Sequence, residues 1–351
     1  MKIAIVTGSS GLIGSESVKF LLKKNYQVIG IDNNFRKYFF GKDGDTTWQL
    51  KKLKKLKYFK NYFYDIRNYK KLEKIFIRNK NKIDTIIHCA AQPSHDWATK
   101  EPLTDFSINA NGTLNLLELT RIFTPKAKFI FLSTNKVYGD TPNTINLRES
   151  KFRYNPREKK LLRNGISENM SIDNSKHSIF GSSKVAADIL VQEYGKYFNL
   201  NTVCFRGGCL TGPSHSGAKL HGFLSYLVKC CLTNKPYTIY GYKGKQVRDN
   251  IHSNDLVNMI WEFIKKPTKG DVYNVGGGVK NSCSILEAIY LIEKITKKKL
   301  KFNISKSNRI GDHIWYISDL RKFKNKYPRW KMKYNLNKII TEIVKEQTKI
   351  K

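Results

Sequence analysis

Three glycines, a carboxylate and a lysine are the residues of this sequence best suited to chemistry. "VTGSSGLIG" spaces Gly8, Gly11 and Gly14 as GxxGxxG between an apolar stretch, "KIAIVT", and an amphipathic one, "GLIGSESVKFLLKK". Glycine there permits a tight turn, close backbone approach to a pyrophosphate and close helix packing, while the helix N-terminus adds N–H donors and a favourable dipole. A bare glycine pattern says little; placed directly after a first strand and ahead of a helix, it is specific. Asp32 closes the next apolar stretch, "YQVIGID". A carboxylate at that point accepts ribose hydroxyls and repels a 2′-phosphate. NAD is therefore the expected cofactor in preference to NADP, with Arg36 and Lys37 close by as the opposing feature.

The elements needed to hold these residues are legible. After the first two strands come the strand "KNYFYDI", a helix near "NYKKLEKIFIRN", the strand "DTIIHCAA", a helix over "NANGTLNLLELTRIF", the strand "KFIFLST", the helix "SSKVAADILVQEYGKYF" and the strand "NTVCFRG". Strands alternating with helices predict a parallel sheet covered on both faces. The expected fold class is α/β, a doubly wound, Rossmann-like parallel sheet whose ligands bind beyond the carboxyl ends of its strands. After Arg206 the rhythm changes to the Gly/Ser/His-rich "GGCLTGPSHSGAKLHG", a helix near "FLSYLVKCCL" and the short strand "YTIYG". Residues 1–206 are expected to form the cofactor-binding domain, with later segments near 237–257 returning to it. Residues 207–351 are expected to be mainly a smaller substrate-binding lobe.

A chain of 351 residues, 40% hydrophobic and 12% aromatic, can bury a sizeable core. No apolar run approaches the roughly 20 residues of a membrane-spanning helix, and the polar, glycine-rich turn soon after Met1 does not suit a secretory signal. A cytoplasmic location is the expectation, with no membrane partner. The six cysteines show no CxxC spacing, which argues for reduced thiols and against a structural metal. The formal charge of +36 comes from lysines spread along the whole chain, with no separate basic tail and no nucleic-acid module. Solvated basic faces explain it better than polynucleotide binding, and the positive field favours the approach of an anionic, phosphorylated substrate.

Taken together, "TGSSGLIG", "YDIRN", "HCAAQPS", "NANGTLNLLE", "STNKVYGD", the GxSK helix, "KQVRDNIHSNDL" and "YNVGGG" run through nearly the whole chain. In them the sequence resembles the extended short-chain dehydrogenase/reductases of the nucleotide-sugar epimerase and dehydratase group. The resemblance implies a tightly held NAD contacted by Gly8, Ser10, Gly11, Leu12, Ile13, Gly14, Asp32, Asn33, Asp65, Ile66, Ala90, Ala91, Gln92, Asn109 and Lys184. It implies a nucleotide-diphosphate sugar met by Ser94, Asn135, Arg248 and Arg309, the two guanidinium groups gripping phosphate oxygens. Thr134 is expected to hydrogen-bond the reacting hydroxyl, and Lys184 to hold the nicotinamide ribose. A homodimer formed through helices is expected as well. The dehydratases of the group carry an Asp-Glu pair directly after the threonine, because loss of water needs an acid and a base at adjacent carbons. Here those positions are Asn135 and Lys136, which favours epimerisation, with carbon 2 of a CDP-hexose or a related sugar as the expected centre.

One residue departs from the pattern. Four positions before Lys184 the group places a tyrosine that takes the hydroxyl proton, and this chain has Phe180. Losing a general base of this kind costs typically 10²- to 10⁴-fold. Lys136, Tyr138, His177 and Cys209 are four candidate substitutes, and each has a bland reading as a packing, loop or phosphate-facing residue. His95, His215 and His221 read as ordinary polar lining of substrate loops. A catalytically silent NAD- or sugar-nucleotide-binding protein is the competing expectation.

Overall fold

β-branched residues dominate Ile3–Thr7 and Ile83–His88, and nearly every side chain of both strands is buried. That pattern suits strands covered on both faces. In the computed structural model, which describes residues 1–217, 222–308 and 311–349, they lie side by side at the centre of a seven-stranded sheet. Across the sheet the order is Asp271–Val275, Asn201–Gly207, Lys128–Thr134, Ile83–His88, Ile3–Thr7, Gln27–Ile31 and Phe59–Tyr62. Pairing among the five strands from Lys128–Thr134 to Phe59–Tyr62 is parallel throughout. The order reverses direction beside Ile3–Thr7, which is where a doubly wound sheet opens its binding crevice.

The covering helices show how a chain with so many lysines builds this core. Asn68 caps the Tyr69–Asn79 helix by accepting the Lys71 N–H, and Leu72, Ile75 and Phe76 are its buried residues. Apolar residues at such spacing form one stripe, and the intervening lysines stay in water. A core cluster including Ile5, Ile86, Leu116, Phe129 and Val191 fills the space between helices and sheet.

Chain contacts divide the molecule into two units. One comprises 1–137, 179–206 and 257–273; the other comprises 138–178, 207–256 and 274–351. Residues 237–252 thus belong to the second unit, and the late stretch grouped with the first is 257–273. In the second unit, Val247–His252 pairs antiparallel with Ser282–Ser284 and parallel with Trp315–Tyr316 and Cys209–Thr211. Its own core joins the helices Phe223–Thr233, Ile285–Thr296 and Leu336–Lys349 through residues such as Leu227, Ile289 and Ile340. Among the described residues, no helix is long and apolar enough to cross a membrane.

Candidate active site

The first strand ends in a turn that only glycine can make. Gly8 has φ +63°, and a Cβ on it would stand 2.8 Å from the Ala90 nitrogen; a Cβ on Gly14 would stand 2.0 Å from the Gly8 carbonyl oxygen. The turn is closed by the Gly11 N–H donating to the Gly8 carbonyl at 3.0 Å. Beyond it the Leu12–Lys23 helix starts at Gly11 with no side-chain cap. Its first N–H groups are therefore left for an anionic ligand. Ile13 is buried beneath the turn and Leu12 half-buried beside it. Asp32 Oδ2 accepts the Ser10 N–H at 2.8 Å and Oδ1 accepts the Asn34 N–H at 2.7 Å. Burial raises the pKa of Asp32, with the amides of Ser10 and Asn34 opposing the shift. These features fit the pyrophosphate and ribose of a dinucleotide.

On the neighbouring strand ends, Asn33 Nδ2 donates to Asp65 Oδ2 at 3.2 Å, and Arg67 grips Asp65 through Nε at 3.0 Å and a second guanidinium nitrogen at 2.8 Å. Burial pushes Asp65 up, but the Arg67 hydrogen bonds outweigh it and hold the carboxyl below its usual range. Ile66 is buried against Gly112, where a Cβ would come within 2.6 Å of its Cδ1. Sequence reasoning missed Arg67, whose role shows only in this geometry.

A second cluster lies where Ala90, Ala91 and Gln92 leave the fourth strand of the chain. Further along, a π turn, Ser107–Asn111, joins the helices Pro102–Phe106 and Gly112–Phe123, a distortion that often marks a functional site. Asn109 in that turn accepts the Gln92 N–H at 2.9 Å and donates to Asp105 at 3.1 Å and to Ser183 Oγ at 3.0 Å. Asp105, which sequence reasoning also missed, is buried, and burial raises its pKa. His88 is buried between Thr7, at 2.7 Å, and Thr113, at 2.9 Å. Burial, with the charge of Lys184 second, pushes its pKa down to about 3, so it stays neutral and serves as a strut.

Lys184 is buried, donates from Nζ to the Leu132 carbonyl at 3.0 Å and lies 4.1 Å from the Phe131 ring centre. Burial lowers its pKa to about 8, with Asp188 the largest opposing influence. Thr134 ends the Lys128–Thr134 strand, and its Oγ1 accepts the Lys136 N–H at 3.2 Å and lies 3.4 Å from Asn135 Oδ1. Phe180 is buried, and its ring meets that of His95 edge to face, with centres 4.8 Å apart and planes at 62°. The first unit alone thus brings together the glycine turn and Asp32, and separately Gln92, Asn109, Phe180 and Lys184.

The family model described as "NAD dependent epimerase/dehydratase family" matches residues 4–276. The chain belongs to that family. It is 32% identical to CDP-paratose 2-epimerase of Salmonella typhi over 328 residues, 92% of each chain. It is 30% identical to UDP-glucuronate 4-epimerase of Thermodesulfobacterium geofontis, covering 85% of this chain and 81% of that one. Among solved structures it resembles the UDP-glucuronic acid 4-epimerase from Bacillus cereus in complex with UDP-glucuronic acid and NAD. There the TM-score is 0.80, the identity 26%, and the coverage 99% of this chain and 100% of the other. NAD is this family's cofactor, and the geometry of the glycine turn with Asp32 fits it.

As a member of the epimerase/dehydratase family, the chain keeps the threonine and the lysine and lacks the tyrosine. Of the four candidate substitutes, Tyr138 is fully buried, donates to Asn274 Oδ1 at 2.8 Å and stacks on Tyr316. The Nε2 of His177 lies 2.7 Å from the Ile172 carbonyl, an arrangement that fixes a loop. Both belong to the second unit, as does Cys209, which is half-buried and pairs through its backbone with Asn250. Lys136 is half-buried in the turn after Thr134. Ser94 caps the short His95–Lys100 helix by accepting the Trp97 N–H. In the second unit Arg248 is buried and donates to Asp312 Oδ1 at 2.7 Å. His215 is half-buried beside Gly222. Arg309 and His221 lie outside the described residues.

Proposed function

We propose that the protein epimerises a nucleotide-diphosphate sugar, in the manner of CDP-paratose 2-epimerase and in the supply of sugars for surface polysaccharides. The observation that carries this reading is the pair Asn135 and Lys136 after Thr134. Dehydration needs an acid and a base at adjacent sugar carbons, and neither position holds a carboxylate. The 32% identity to CDP-paratose 2-epimerase supports the same choice.

NAD would supply the hydride acceptor and donor, so that the net reaction would be redox-neutral. Within the chain, the N–H groups of the glycine turn bind the pyrophosphate and Asp32 accepts the adenosine ribose hydroxyls. Asp65, Ile66, Ala90 and Ala91 flank the cofactor. Lys184 Nζ holds the nicotinamide ribose, and Thr134 Oγ1 orients the reacting hydroxyl. Ser94 contacts the sugar, and Arg248 and Arg309 grip the diphosphate. We infer a homodimer in the cytoplasm.

Purified protein carrying NAD, incubated with a panel of CDP-, UDP-, GDP- and dTDP-hexoses, is expected to interconvert at least one epimer pair by NMR. No interconversion across the panel would sink this reading. Phe180 supports a second one, a silent sugar-nucleotide binder; that alternative predicts binding without turnover, and turnover appearing in Phe180→Tyr.

A further inference from the structure

We propose that the imidazole of His95 takes and returns the proton of the reacting sugar hydroxyl, the task left vacant by Phe180; this rests on the epimerase reading above. The starting observation is the edge-to-face contact of the two rings, 4.8 Å between centres. The phenylalanine preserves the shape of a tyrosine ring and buries it, while the half-buried imidazole beside it brings the proton-accepting nitrogen that the phenylalanine lacks. Histidine suits the exchange because an imidazole nitrogen can accept a proton and give it back. A phenol titrates near 10 and needs a neighbouring charge to do the same.

The two rings are held in register by a continuous set of hydrogen bonds. His95 is the first residue after the Ser94 cap. Ser94 is bracketed by the Gln92 side chain, whose Nε2 donates to the Ser94 carbonyl at 2.8 Å and to Asp105 Oδ1 at 2.7 Å. The Gln92 N–H donates to Asn109 at 2.9 Å, Asn109 donates to Ser183 Oγ at 3.0 Å, and Ser183 Oγ donates to the Phe180 carbonyl at 3.0 Å. The turn carrying the imidazole is thereby tied to the helix carrying Phe180 and Lys184. Placing a base within hydrogen-bond reach of its proton demands fixed geometry of this sort.

The exchange balances. In the forward direction the hydroxyl O–H bond breaks as an N–H bond forms on the imidazole. NAD, which the glycine turn, Asp32 and Lys184 would hold, would supply the acceptor for the hydride that leaves with the C–H electron pair as the carbon–oxygen bond becomes a carbonyl. In reverse the hydride returns to the other face of the carbon and the imidazolium gives its proton back to oxygen.

Three variants, two binding measurements and one NMR titration test the proposal. His95→Asn is expected to lower turnover about 10²- to 10⁴-fold, while the affinity for CDP by calorimetry and the NAD content stay within about threefold of the parent. The double variant His95→Asn with Phe180→Tyr is expected to regain at least about tenfold over His95→Asn, because a phenol then stands at position 180, four residues before Lys184. His95→Phe, which keeps an aromatic ring against Phe180, is expected to be as slow as His95→Asn. Independently of turnover, the His95 imidazole signals in a histidine-selective NMR spectrum, assigned by their loss in His95→Asn, are expected to shift when a CDP-hexose is added to the NAD-loaded protein. Parent-like turnover in His95→Asn or His95→Phe overturns the proposal, as do a failed rescue by Phe180→Tyr and signals indifferent to the sugar nucleotide; all three leave the epimerase reading standing. A parent that turns over nothing in the sugar-nucleotide panel overturns both.

Discussion

The amide N–H of Ser10, inside the glycine turn, donates to Oδ2 of Asp32 at 2.8 Å. The acid at the end of the second strand therefore fastens the turn that follows the first. Because Asp32 also accepts the Asn34 N–H, it has a structural duty besides the ribose contact proposed for it.

Replacing Asp32 by alanine removes both duties. Hydrogen bonds to a charged group contribute about 1.5–3 kcal/mol, so the Kd for NAD is expected to rise roughly 10- to 100-fold. The Kd for NADP should change less, since the repulsion of its 2′-phosphate is lifted. The unpaired amides should also lower stability by about 1–3 kcal/mol. Calorimetry with both dinucleotides, beside a urea titration, checks this; an unchanged preference for NAD would remove Asp32 from the ribose site.

Much of this arrangement is legible in the sequence, because the glycine spacing and the apolar runs are local signals. The strand "KIAIVT", the turn at Gly8 and the strand closed by Asp32 lie within one stretch of chain, and four of the five parallel-paired strands fall on apolar runs, whereas the fifth, expected over "KNYFYDI", forms at Phe59–Tyr62, where Lys60 and Asn61 interrupt the pattern. What could not be read depends on contacts between residues far apart in the chain. His95 sits in "QPSHDW" with nothing local to set it against Phe180. The π turn at Ser107–Asn111 lies ahead of and across the start of "NANGTLNLLE", where periodicity suggests the beginning of a plain helix. Likewise nothing in the sequence sets Asp312 beside Arg248, which it offers only as a grip for phosphate oxygens.

Lys184 makes stability depend on pH in a definite direction. Its pKa falls from an ordinary 10.5 to about 8 on folding. Below pH 8 both folded and unfolded chains carry the charge, and the burial penalty, roughly 3 kcal/mol, is fully felt. Between pH 8 and 10.5 the folded chain releases its proton first, the unfolded chain binds more protons, and this contribution to stability rises with pH. Lys184→Met does not titrate. Relative to that variant, the parent is expected to gain stability between pH 8 and 10.5 in urea titrations, and a difference independent of pH would contradict it.

The ion pair of Arg248 with Asp312, 2.7 Å between nitrogen and oxygen, sets a competition. A guanidinium proposed to grip a diphosphate must exchange that carboxylate for phosphate oxygens or share itself between them. Arg248→Ala is expected to weaken CDP binding about 10- to 100-fold, whereas Asp312→Asn is expected to tighten it by a few-fold. Calorimetry with CDP reads both; equal weakening by the two changes would mean that the pair serves only to hold the second unit together.

The most direct measurement is epimerisation carried out in heavy water, with the product followed by proton NMR at the inverted carbon. If hydride leaves that carbon and returns to it through the bound cofactor, the product carries ordinary hydrogen there and no solvent deuterium. Deuterium at the inverted carbon would mean that the stereocentre was lost as a proton to solvent, and the proposed route through NAD would be wrong.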